Sequence, residues 1–376
     1  MTKGTQVSTP RVLFVADQFG DTPRTRGERH PGGAELTDGA AIEACPWPIE
    51  LATSASLRPR DLRAFDIHIL ANLEHASAEV LSELCGLGRH VLFEHDLRIC
   101  QYNGNFPGAA EKVHRFAQRC ICPFPHLIDL YRSALGTVFL THRQLAYYHA
   151  NPWFRPVASA VLGCSLMSRS FFERVARQAD DPPTRTIDTA VVASIQLIKG
   201  AEAARQYCRQ QGIEPFVIEN MTPGEVLDTL AQCRSLVYLP VGLEPAGRLL
   251  VEARFLGCKV LSNPNAGVCG ESWWDLPDGL ALQVLRDGPD RFWRLVDGFA
   301  RAERKAPLPS PSANRIARAK RRVDGFTRHL RTVESRLVPT VAMERLSGPW
   351  RRRAASVSVV YEPTDAGSSD SKRSAS

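Results

Sequence analysis

The chain has 376 residues, a formal net charge of +7, 44% hydrophobic residues and 23% charged residues. That length suits two domains of ordinary size, and the composition is that of a packed globular protein, which excludes a largely disordered chain. The positive charge is concentrated late, with 15 Lys and Arg against four acids over residues 301–353, so the rest is slightly acidic and unsuited to a nucleic-acid-binding core.

In chain order, residues 11–16 (RVLFVA) form a β-branched and aromatic run that predicts a buried parallel strand. No signal-peptide pattern precedes it, and no apolar run is long enough to span a bilayer. A polar loop over 17–31 leads to Gly32 and Gly33, and a helix is predicted from Ala34 to about Ala44. Strands are predicted at 49–52, 66–71, 90–93, 136–140 and 157–162, with helices at 78–86, 108–119, 127–134 and 144–150. Such alternation predicts a doubly wound parallel sheet.

Residues 179–185 (ADDPPTR) read as a linker to a second series. Strands are predicted at 189–195, 216–219, 235–239 and 259–262, with helices after Lys199, at 223–231 and after Glu244. A helix over 290–304 is followed by a Pro-rich break at 305–312. A basic amphipathic helix is predicted at 313–337, and a disordered tail at 341–376. The predicted domains are 1–178, 186–290, a basic helical segment 291–340, and the tail. The ten cysteines are scattered and no CxxC occurs. Reduced thiols in a cytoplasmic protein are expected, with no metal site.

The most informative stretch is LEPAGRLLVEARFLG, residues 243–257. Seven residues separate Glu244 from Glu252. Pro245 stands where a first helical position is predicted, and Gly257 marks the helix end. A helix start supplies free amides that attract anions. Carboxylate, amide cradle and carboxylate suit the sugar, diphosphate and ribose of a sugar nucleotide. On spacing alone, the stretch reads as an ordinary surface helix.

Its surroundings change that reading. Glu244, Pro245, Gly247, Glu252 and Ala253 resemble the signature of the retaining glycosyltransferases of GT-B fold, the glycogen-synthase-like (group 1) family. The resemblance runs in motif order over residues 10–300 and is dense from Thr222 to Glu271. It implies an α/β GT-B fold, two Rossmann-like doubly wound domains facing across a cleft. It also implies transfer of a sugar from a nucleotide-sugar donor, UDP- or GDP-linked, with retention of configuration and without a metal. Glu244 would contact the donor sugar and Glu252 the ribose, while Lys199 and the amides near Gly247 would hold the diphosphate.

The loop at Gly32 and Gly33 is similar to the family's glycine-rich loop after the first strand, which closes over the phosphates. Lys199 and Gly200 match its Lys-Gly pair, but Ser194 stands where the family pattern has Arg. Arg248 is the cation that could compensate. His95 matches a first-domain His near the donor sugar, with His142 as rival. Residues 263–271, including Gly267, are similar to a glycine-rich loop ending in Glu, here Glu271.

The acceptor, whether glycan, lipid or protein, is not specified by the sequence. A lipid-linked acceptor would give the basic helix 313–337 a role at the inner membrane face. Nucleic acid is not an expected partner. Two other functions remain: a non-catalytic protein that binds a nucleotide sugar or a partner, for which Ser194 is the main support, and a nucleotide-sugar epimerase.

Overall fold

The computed structural model describes residues 9–20, 30–100, 125–151, 153–154, 158–194, 196–302 and 358–361. The predicted helix 108–119, Cys120 and Cys122, and the basic helix 313–337 lie outside them. Eight cysteines among the described residues are free thiols.

The first sheet contains β1 (Val12–Ala16), β2 (Ile49–Thr53), β3 (Ile67–Leu70), β4 (His90–Glu94), β5 (Gly136–Phe139) and β6 (Ser159–Val161). All are parallel, in the order β2-β1-β3-β4-β5-β6. β1, β3, β4 and β5 are buried along their whole length, as inner parallel strands covered on both faces must be. The helices of this half are α1 (Gly33–Glu43), α2 (Ala78–Leu87), α3 (Pro125–Ser133) and α4 (His142–Ala150). Ser77 and Thr141 cap α2 and α4 by accepting the amides of Val80 and Gln144, and left-handed Gly88 ends α2.

A helix that the sequence did not predict, α5 (Arg169–Asp180), comes next. The second sheet holds β7 (Ile187–Val192), β8 (Phe216–Ile218), β9 (Cys233–Val237), β10 (Lys259–Ser262) and β11 (Ser358–Tyr361). Its order is β11-β10-β9-β7-β8, with β11 antiparallel to β10 and the others parallel. β11 lies inside the segment expected to be a disordered tail. The remaining helices are α6 (Ala201–Gln210), α7 (Pro223–Gln232), α8 (Arg248–Phe255), α9 (Asp278–Arg286) and α10 (Gly288–Arg301).

The two halves are thus Rossmann-like sheets, as expected, but their cores divide differently from the predicted boundaries. Phe171 and Val175 of α5 pack in the core of the second sheet, although they fall within the predicted first domain, 1–178. Conversely, Phe292, Trp293 and Val296 of α10 pack with the strands of the first sheet. The Phe292 ring lies 4.5 Å from that of Phe93, and the Trp293 indole donates to the carbonyl of Ala41 at 2.7 Å. The apolar stripe of α10 packs on a face of the first sheet, and at β5 Gly136 makes room for the Phe299 ring.

Candidate functional site

A cavity of about 850 Å³ opens at the carboxyl ends of both sheets. On the first sheet its walls are the loops after β1, β3 and β4, and on the second those after β7 and β9. These flank the points where strand order reverses, between β1 and β3 and between β7 and β9. Doubly wound sheets bind ligands at such points. Of the residues singled out by sequence, Gly32, Gly33, His95, Lys199, Glu244, Gly247 and Arg248 line the cavity; Glu252 and Gly267 do not.

Glu244 is not at a helix start. Its backbone runs extended, bridged to Ala266: its amide donates to Asn265 at 3.0 Å and its carbonyl accepts from Gly267 at 2.8 Å. The helix α8 begins at Arg248, after Gly247 has taken a left-handed φ of 60° as N-cap. This corrects the expectation that Pro245 opens the helix. The β-like pairing holds the chain extended through Glu244, and only glycine turns it cheaply into the helix. The carboxylate remains close to the helix tip, where it interacts with the Gly247 amide.

Burial raises the pKa of Glu244; the Lys199 ammonium, the Tyr238 hydroxyl and the Gly247 amide oppose the rise, while Asp96 adds to it. Tyr238 is itself pushed well above its usual value by burial and by Glu244. Lys199 ends the 3-10 turn Leu197–Lys199, and its ammonium has no salt-bridge partner among the described residues. The turn leans on the segment leading to Glu244, since the Val241 amide donates to the Ile198 carbonyl at 2.9 Å. A cation beside a half-buried acid is placed to answer to an anion. Lys199→Ala is expected to weaken the binding of inorganic pyrophosphate, as a probe anion, about tenfold, measured by titration calorimetry.

His95 follows β4 and is held by a partner that the sequence did not indicate. Its Nε2 lies 2.7 Å from Oδ1 of Asp38 on α1, with the two side chains 3% and 2% exposed. Burial works against charge on the imidazole, but Asp38 outweighs it and raises the pKa of His95. The pKa of Asp38 is raised by its own burial. The bond to Asp38 fixes the imidazole's orientation and leaves Nδ1 without a hydrogen-bond partner. Removing the charge by Asp38→Asn is expected to lower the pKa of His95, read from the ring-proton shifts in an NMR titration.

The loop carrying His95 is braced from below. Gln144 donates to the carbonyls of Glu94 and Asp96 at 3.2 and 2.8 Å, and the Glu94 carboxylate accepts the hydroxyls of Tyr131 and Tyr148.

Three further expectations are corrected. Glu252 is buried away from the cavity, with its carboxylate on the Arg248 Nε at 2.8 Å. Gly267 presents no amide to a ligand, because its N–H is spent on Glu244; a Cβ there would stand 2.2 Å from the Pro245 oxygen and 2.9 Å from the Thr141 hydroxyl. Glu271 caps α4, accepting from the amide and Nδ1 of His142, each at 2.7 Å, so the rival His142 belongs to a tie between the two halves. Thr141, Tyr238 and Asp38 were missed. α1 carries three acids, Glu35, Asp38 and Glu43, and nothing in the sequence singles out Asp38 among them.

Among the described residues no group of three or more His, Cys, Asp or Glu is arranged to hold a metal ion, and no helix is long and apolar enough to cross a membrane. No family model matches the chain, and no curated protein matches it. Among solved structures it is similar to HepE of Anabaena in complex with UDP-glucose, at 15% identity over 87% of this chain and all of that chain, with a TM-score of 0.42. It is also similar to sucrose-phosphate synthase of Thermosynechococcus elongatus, at 10% identity over 77% of this chain and 96% of that one, TM-score 0.46. A third likeness is to the lipopolysaccharide outer core galactosyltransferase WaaB, at 12% identity over 77% and 94%, TM-score 0.35.

Proposed function

We propose that the chain is a glycosyltransferase that moves a sugar from a nucleotide-sugar donor to an acceptor with retention of configuration. The observation that carries the reading is the convergence of Glu244, Lys199 and the Gly247 amide in one cavity at the carboxyl ends of both sheets' parallel strands. Glu244 accepts hydrogen bonds from donor-sugar hydroxyls. Lys199 and the amides at the tip of α8 take the diphosphate, helped by the helix dipole, and stabilise the charge that grows on it as the glycosidic bond breaks. Gly32 and Gly33 offer the start of α1 from the opposite side. His95, oriented by Asp38, meets a sugar hydroxyl. Residues of both halves close the site against water, which limits donor hydrolysis.

A second reading, binding without turnover, is favoured by Ser194. Its hydroxyl accepts the Gln196 amide at 3.1 Å in a local turn and brings no charge. The deciding measurement is a thermal-shift panel of UDP-, GDP- and ADP-sugars, followed by donor consumption and NMR of the product anomer. Stabilisation by a nucleotide sugar with turnover and a retained anomer supports the transferase. Binding without any turnover supports the second reading, and a sugar altered while still on its nucleotide identifies an epimerase.

A further inference from the structure

Among the cavity residues, Arg248 is placed in an unusual way. It is the first residue of α8, so its stem stands at the same helix tip as the Gly247 amide. The backbone of α1 meets it from the other sheet: a Cβ at Gly33 would lie 3.6 Å from the Arg248 Cβ and 3.8 Å from its Cδ. Two helix N-termini therefore converge on one arginine stem, and each favours an anion.

The guanidinium is committed inward. Its Nε is 2.8 Å from Glu252 Oε1 and its Nη1 donates to the Leu166 carbonyl at 2.6 Å. Both members of the ion pair are 8% exposed. Nη2 has no hydrogen-bond partner among the described residues. A buried arginine that lines a cavity, with one face held by a carboxylate and one nitrogen unspent, has capacity for a second anion.

We infer that Glu252 is the resident counter-ion of Arg248 rather than a ligand of the ribose, and that an incoming diphosphate takes the Arg248 guanidinium from it. The inference rests on the nucleotide-sugar reading of the cavity and deepens it. Glu252 lies one helical turn beyond Arg248, is 8% exposed and does not line the cavity, so the intact pair does not present it there to ribose hydroxyls. A diphosphate offers the guanidinium the same forked acceptor geometry as a carboxylate, with more charge. The helix dipole assists the exchange, since it favours an anion at the tip of α8 over one a turn inside.

The two roles of Glu252 predict opposite signs for one substitution. Glu252→Gln keeps the side chain's shape and one oxygen for the Arg248 Nε, and removes the competing charge. As a counter-ion variant it is expected to bind UDP about tenfold more tightly than the wild type and uridine no differently. Inorganic pyrophosphate, which has no ribose, should gain in the same way. Arg248→Gln is expected to lose UDP and pyrophosphate binding about tenfold, and the double variant should match Arg248→Gln alone, because no competition remains.

If Glu252→Gln instead weakens UDP and uridine alike, the carboxylate holds the ribose and the inference is overturned. An unchanged affinity for UDP overturns it as well. Pyrophosphate bound more tightly by Glu252→Gln, in a protein that binds no nucleotide, would keep the exchange and sink the nucleotide-sugar reading. Should the variants not fold, a crystal of the wild type with UDP decides. The 2.8 Å contact between Arg248 and Glu252 is expected to open, with the guanidinium on phosphate oxygens; an intact pair beside a bound diphosphate refutes the inference.

Discussion

On the proposed reading, Glu244→Gln is expected to lower kcat/KM for sugar transfer about a hundredfold, because hydrogen bonds from the sugar hydroxyls would then no longer be charge-assisted. It is also expected to make the protein more stable at neutral pH, raising Tm by about 1–3 °C. The two results have one cause. The site holds a carboxylate whose pKa is raised, which means that burial costs more than Lys199, Tyr238 and the Gly247 amide return. A group with a raised folded-state pKa binds its proton more readily in the native state. Its charged form therefore subtracts from stability as pH rises above the ordinary carboxylate range. Glutamine removes that penalty while preserving the shape. The gain in Tm should vanish at acid pH, where Glu244 itself is protonated, and thermal melts of both proteins across pH measure this. Equal melting curves at every pH would show that Glu244 carries no strain of this kind.

Gly200→Ala is expected to cost more than about 4 kcal/mol and to yield little folded protein. Gly200 has a φ of 66°, and a Cβ there would stand 1.8 Å from the Leu239 oxygen and 2.6 Å from the Leu239 carbonyl carbon. Those atoms are backbone two residues beyond the end of β9 and lead toward Glu244, so they cannot move without disturbing the site. Gly212 is the control. Its φ is 68°, but nothing lies within 4 Å of a Cβ built there. Gly212→Ala should cost only the left-handed strain, about 1 kcal/mol. Urea melts of the two variants separate the clash from the dihedral. If they lose the same stability, the close approach of Gly200 to Leu239 is not a structural requirement.

Much of the fold was legible because buried parallel strands read as continuous apolar runs: β1, β3, β4 and β5 match their predicted ranges to within a residue at each end. The cavity residues after strand ends were legible for a related reason, since glycines and a lysine at those places serve backbone approach and charge. What failed depended on partners distant in sequence. Pro245 carries a helix-start signal, yet the pairing of Glu244 with Ala266 keeps the chain extended past it. Nothing local marks Glu252 as the partner of Arg248 rather than of a ligand, since the spacing along the helix is the same either way. Asp38 needs the fold to bring it 57 residues across to His95. The helix α5 went unread because its apolar side, Phe171 and Val175, answers to a core formed by later strands.

The return of α10 to the first sheet has a consequence for biosynthesis. Phe93, Val138 and Leu140 find their cover in Phe292, Trp293 and Val296, which are translated only after the whole of the second Rossmann unit up to α9. While the nascent chain grows on the ribosome, that face of the amino-terminal half stays open. A truncation ahead of Gly288 would leave it open for good, inviting chaperone capture or aggregation. The two halves are consequently not separable modules, and neither can be exchanged without carrying α10 with the first half.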